Sequence, residues 1–255
     1  MKKQWILLVI LLHCVLFVTI SGQAMAANSS TVIPGLNVTL GTSDEPADVS
    51  NTLSIIALIT VLSIAPSIII MMTSFIRVVI VLGFVRTALA TNQMPPTQVL
   101  VAIALFITLF VMAPTVGKIN EVALQPLLKG EISQTEALDR ASVPMKQFMA
   151  KQTREKDLML FMNYSKAEKP KSVEDIPLTA LIPAFAISEL KTAFQMGFMI
   201  FIPFIVIDMI IASVLMAMGM MMLPPVMISL PFKILLFILV DGWYLVVKSL
   251  LLSFQ

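Results

Sequence analysis

Apolar and polar residues in this chain are sorted into long blocks. Ile6–Ile20 is mostly apolar, and residues 27–50 are polar, with Asp44, Glu45 and Asp48 and no basic side chain. Leu53–Leu89 is apolar apart from Arg77 and Arg86 and contains Pro66. The loop "ATNQMPPTQ" separates it from a second apolar stretch, Val99–Met112, ending at Pro114. Residues 115–182 then hold ten basic and nine acidic side chains, and after Pro183 the chain is apolar again to Phe254. Runs this long and apolar predict membrane-type helices, and no strand-like alternation or internal repeat competes with them. The expected fold class is all-α: integral-membrane-type helical hairpins with a helical periplasmic insert, assembling into a helical oligomer.

The pattern divides the chain into five segments. Residues 1–26 read as a cleaved signal peptide: Lys2 and Lys3 form a positive n-region, an apolar core follows, and Ala24-Met25-Ala26 supplies the small residues of the cleavage site. Residues 27–50 form a periplasmic leader, 51–114 a first helical hairpin, 115–182 the periplasmic insert, and 183–255 a second hairpin turning at "MAMGMMMLPP". Within the insert, Ser133 and Glu136 have capping-box spacing. A second helix is expected from near Pro144 to Tyr164, with Met145, Phe148, Met149, Leu158, Phe161 and Met162 available for one face. The solvated loop "SKAEKPKSVEDIP" follows.

Composition agrees and narrows the chemistry. Only 13% of the 255 residues are charged and the mean hydropathy is +0.95, about half the charged fraction of a soluble domain. His13 is the sole histidine and Cys14 the sole cysteine, and both leave with the signal. The remaining chain then has no disulfide, thiol nucleophile, imidazole base or Cys/His metal site. No Gly-rich phosphate loop and no aromatic-basic interleaving is present. The expectation is a protein that is not an enzyme, with no cofactor and no nucleic-acid partner.

Charge placement sets topology. Arg77 and Arg86 in the first hairpin, with no acidic residue nearby, mark its turn as cytoplasmic. The insert then faces the periplasm, the methionine turn the cytoplasmic side, and the C-terminus returns outward. Val99–Met112 is short against the roughly 20 residues needed to span a bilayer, and Pro66, Pro114, Pro183 and Pro203 interrupt other runs. These hairpins are therefore expected to pack mainly against other subunits.

Three charges in apolar sequence lack a partner three or four residues away: Glu189, Asp208 and Lys233. An unpaired charge at membrane depth costs at least about 3 kcal/mol, so pairing across helices or subunits is expected. Asp208 lies ten residues before Met218 and Lys233 eight after Pro225, so a turn between them brings the two to similar depth. Glu189 is expected to meet a basic residue of the insert, with Arg154 the choice. Gly219 suits a helix end and Pro224-Pro225 a helix start, which leaves Met220, Met221, Met222 and Leu223 as an apolar loop. Methionine there reads either as gap-filler between helices or as a deformable gate, if several copies surround one axis.

Three stretches carry a family resemblance: "MMTSFIRVVIVLGFVRTAL" (Met71–Leu89), "PAFAISELKTAFQMGFMIFIPFIVIDMIIASVLMAMGMMMLPP" (Pro183–Pro225) and "LPFKILLFILVDGWYLV" (Leu230–Val246). They closely resemble the FliP family of flagellar biosynthetic proteins, and the resemblance covers about everything after residue 50. It implies a core subunit of the flagellar type III export gate at the basal body in the bacterial inner membrane. Implied partners are FliQ and FliR homologues, further copies of the chain in a pentamer, FlhA/FlhB-type export components and unfolded flagellar substrates. It also implies that Met220, Met221 and Met222, with Met216 and Met218 beside them, form the constriction. The injectisome branch of the same family, a structural scaffold and a small-solute transporter are the alternatives.

Overall fold

The computed structural model of the protein describes residues 46–91, 93–165, 170–220 and 222–255. The signal segment with Ala24 and Ala26, and most of the leader, lie outside the described residues. The chain divides into two units, one ending at Ile59 and the other spanning Thr60–Gln255. All regular structure among the described residues is helical. The helices are α1 (Pro46–Met71), α2 (Phe75–Ala88), α3 (Thr97–Ile119), α4 (Gln125–Leu128), α5 (Gln134–Gln152), α6 (Glu155–Tyr164), α7 (Leu178–Ala217), α8 (Pro225–Leu239) and α9 (Gly242–Leu252).

The prolines expected to interrupt helices do not. Pro66 lies inside α1, Pro114 inside α3, and Pro183 and Pro203 inside α7. Each removes one backbone hydrogen bond. Ending a helix within an apolar run would strand several backbone groups, so continuing it is the better solution where lipid or protein surrounds the helix. Val99–Met112 is therefore not a short span. It belongs to α3, which passes through a π-helical turn, Asn120–Leu124, into α4, and Thr97–Leu128 forms one 32-residue helical stretch. The change of composition at residue 115 falls inside α3. By length and composition, Thr97–Leu128 and Leu178–Ala217 can each cross a membrane. The pairs Ile55–Met71 with Phe75–Ala88 and α8 with α9, bent by 67° and 63°, raise the number to four if each is one span.

The core of the second unit forms where α2 lies on the first half of α7. Val78, Val81, Leu82, Val85 and Ala88 make one buried stripe on α2, at the three- and four-residue spacing of a helix face. On α7 the facing residues include Ala193 and Gly197. A Cβ at Gly197 would stand 2.4 Å from the Phe84 ring, so the absent side chain is what lets the aromatic of α2 seat there. A second cluster, Met149, Ile176, Leu181 and Phe185, with Met145, Phe148 and Leu158 against it, fixes the insert to the start of α7.

The insert is helical, but its second helix differs from expectation. α5 starts at Gln134, where the Ser133 hydroxyl accepts the Glu136 N–H at 3.3 Å, and runs through Pro144 to Gln152. Thr153 and Arg154 are extended and turn the chain into the separate helix α6. The Arg154 N–H is held by the Ser188 hydroxyl at 3.1 Å, a partner from α7 that a continuous helix would not reach.

Candidate functional site

The methionine segment is a loop built by its neighbours. α7 closes at Met218, and Gly219 takes a left-handed conformation, φ +75°. The Gly219 N–H bonds to the Met216 carbonyl and the Met220 N–H to the Leu215 carbonyl, each at 3.0 Å. This is a Schellman closure, which favours glycine because its φ is positive. Pro224 then caps α8 and Pro225 opens it, where a missing N–H costs nothing. Between them, Met220 and Met222 are exposed, Met222 at 97%, and Met216 and Met218 are exposed at the end of α7. Met221 lies outside the described residues.

Two turns below the loop, α7 and α8 are tied by charge. Lys233 Nζ donates to Asp208 Oδ2 at 2.7 Å, and the Ser229 hydroxyl donates to Oδ1. The structure thus brings Asp208 and Lys233 together within one hairpin. Lys233 is 3% exposed but Asp208 28%, so the carboxylate keeps a face open to a neighbour. Asp208→Ala strands a buried ammonium, whereas Lys233→Ala strands a partly exposed carboxylate. The first is expected to destabilise by about 3–5 kcal/mol and the second by less. Thermal melting of the detergent-purified variants checks this order, and equal losses would contradict it.

Glu189 does not meet Arg154. Its partner is Arg77, both fully buried, in a bidentate pair from Nε to Oε2 at 2.9 Å and from Nη2 to Oε1. The other donors of Arg77 reach Ser253 O at 2.8 Å, Ser253 Oγ at 2.9 Å and Gln152 Oε1 at 3.0 Å. All five N–H groups of a guanidinium are thereby used. The Phe254 ring lies beneath Arg77, 3.9 Å from centroid to guanidinium carbon, so α2, α5, α7 and the C-terminus meet at this one side chain. The physical reason for the exchange is position: Arg77 lies on the α2 face packed against α7, while Arg154 is drawn to Asp157 three residues on.

Arg154, Asp157 and Ser188 form a second polar latch. The Ser188 hydroxyl donates to Asp157 Oδ2 at 2.6 Å, and Arg154 pairs with the same oxygen. The serine hydrogen bond, with help from the bond and charge of Arg154, holds the Asp157 carboxyl below its ordinary value of 3.8 against the opposing effect of burial. A lowered folded-state pKa stabilises above the ordinary value, and that contribution is lost as pH falls through the folded value. Asp157→Asn is accordingly expected to lower stability at neutral pH and to flatten its decline on acidification. Melting curves from pH 7 to 3 test this, and parallel declines in both proteins would contradict it.

Arg86 binds the turn after α2, donating to Thr97 Oγ1 at 3.1 Å. Arg77 is buried against Glu189, whereas Arg86 is half-buried and bound into that turn. Sequence reasoning missed Arg77 as a network member, together with Gln152, Ser253, Asp157 and Ser188. The rule that singled out Glu189 also marks Arg77 as a charge with no local partner, since its neighbours three and four away are Thr73, Ser74, Ile80 and Val81, but it does not say which distant group it meets.

Helical hairpins apolar on nearly every face, with buried ion pairs tying their helices, define a membrane-type helical protein. The chain matches the FliP family over residues 58–250. It is 65% identical to the flagellar biosynthetic protein FliP of Bacillus subtilis over 217 residues, covering 85% of this chain and 98% of that protein. The FliP of Caulobacter vibrioides is 48% identical over 240 residues, covering 91% and 90%, and that of Aquifex aeolicus 48% over 207, covering 80% and 87%. The chain belongs to the FliP family.

Proposed function

We propose that this chain is the pore-forming core subunit of a flagellar type III export gate and passes unfolded flagellar proteins through a central channel. Several copies, five by family resemblance, would stand around one axis with FliQ- and FliR-type partners. The observation that carries this reading is the α7–α8 hairpin. Its apolar loop of exposed thioethers is fixed by Gly219 and Pro224-Pro225 and braced by Asp208 and Lys233. A loop of soft, unbranched side chains on a rigid hairpin makes a seal that deforms around a passing chain and closes behind it. Membership in a family of flagellar biosynthetic proteins supports the export role.

A second feature supports assembly. Beyond Gly197, α7 exposes Phe198, Met199, Ile202, Val206, Met209 and Ile210. This half of the helix has little cover within the chain, and further subunits would bury it. The charged insert, α5 and α6, would stand on the outer side of the membrane and the methionine loop toward the cytoplasm. Replacing Met220–Met222 with small residues separates gate from scaffold. A gate leaks ions with the assembly intact, whereas a scaffold loses assembly without a leak.

A further inference from the structure

Away from the methionine loop, a groove of about 630 Å³ opens between α3, α5 and the C-terminal residues. That volume lies within the roughly 300–1,000 Å³ of small-molecule sites. Phe110, Val111, Pro114 and Leu251 make its apolar walls, and Lys118 and Lys151 stand on it with neutral Gln147. Neither lysine has an ion pair among the described residues, although acidic side chains are plentiful in the insert.

Lys118 is the first charge on α3 after the uncharged run from Thr97 to Gly117, so it marks where this helix leaves hydrocarbon. Below it, Phe106, Leu109 and Phe110 form an exposed apolar stripe leading up to the groove. A slot with greasy walls that opens along a membrane-facing stripe, with two free ammonium groups at its polar end, matches one kind of molecule. We propose that the groove holds an anionic phospholipid. Its phosphate lies against Lys118 and Lys151, and its acyl chains run along Phe110, Val111 and Leu251. No acidic side chain is among the described residues that line the groove, so the two lysines there favour an anionic head-group. A small soluble anion would leave the apolar walls unused, and an acidic peptide would not follow the stripe into the bilayer. The inference rests on the membrane character of the chain and not on the export reading.

Native mass spectrometry of the full chain, purified in its assembled form and supplied with phosphatidylglycerol or phosphatidylcholine, tests this. The intact groove is expected to retain phosphatidylglycerol about tenfold better than phosphatidylcholine. The double variant Lys118→Gln, Lys151→Gln should lose that preference. Ala113→Phe, which fills the exposed rim without touching either charge, should lower retention of the same lipid. Both changes are at exposed positions, and a melting temperature close to that of the unmodified chain shows that they fold; single lysine variants replace the double if it does not. Equal retention of the two lipids overturns the proposal, as does a preference unchanged in the lysine variants. Displacement of bound phosphatidylglycerol by glycerol phosphate or by an acidic peptide at equal concentration also overturns it.

Discussion

Arg77→Ala is expected to remove folded subunit almost entirely. The substitution leaves the Glu189 carboxylate fully buried without its cation and strips Gln152 and Ser253 of the donor that joins them. Removing one partner of a buried pair costs about 3–5 kcal/mol, a large share of the roughly 5–15 kcal/mol that keeps a domain folded. Arg77→Lys is not conservative either. One ammonium has three donors on a single nitrogen and cannot replace the five contacts that the planar guanidinium makes to Glu189, Gln152 and Ser253. The double change Arg77→Met, Glu189→Met removes both charges and is expected to recover most of the stability, because apolar replacements of similar volume often do as well as a buried pair. Fluorescence-detected size exclusion after a heating series measures all three. A melting temperature for Arg77→Ala equal to that of the unmodified protein would contradict this account of the hub, as would no recovery in the double variant.

Replacing Met220, Met221 and Met222 together by glycine is expected to have the largest functional effect. The loop ends are set by backbone features, the left-handed Gly219 and the proline start of α8, which the substitution does not touch. The Arg77 hub and the Asp208–Lys233 pair are likewise untouched, so the hairpin should persist. What disappears is the volume and softness of three thioether side chains from every copy, and an apolar constriction that widens admits water and then ions. Overproduction of the variant with its partners should therefore depolarise cells, read by a potential-sensitive dye, while the assembly runs at its normal size on native gels. Substitution of the same positions by leucine should restore the barrier, since leucine is also apolar and bulky, but slow export because a branched side chain yields less readily. A tight membrane in the glycine variant would remove the gating role and leave the scaffold reading.

Much of the architecture was legible because membrane-type sequences sort so strongly. The apolar blocks, the Ser133 cap, the Gly219 helix end and the Pro225 helix start each rest on local rules, and the structure places them at those residues. The prolines misled because the breaker rule belongs to helices in water. In an apolar run, losing one bond is better than exposing the several backbone groups of a helix end. The bend at Asp241, φ +51°, was missed although an Asp-Gly pair stands there. Of the charges, Asp208 and Lys233 were readable because a turn of known position sets their relative depth. The partner of Glu189 was not, because Arg77 lies more than a hundred positions away in another hairpin, and no local spacing reports such a contact. Treating Arg77 only as a marker of sidedness hid its role in the core.

The central claim is that methionine loops from several copies meet at one axis, and proximity between copies tests it most directly. Met222→Cys, in a chain with Cys14 replaced by serine, puts a single thiol on the most exposed of the described side chains of the loop. Mild oxidation of the assembled protein in membranes is predicted to give covalent dimers between copies, while Leu128→Cys at the far end of α4 gives none. If Met222→Cys stays monomeric under oxidation and reacts instead with a lipid-soluble maleimide, the loop faces acyl chains and no convergent gate exists.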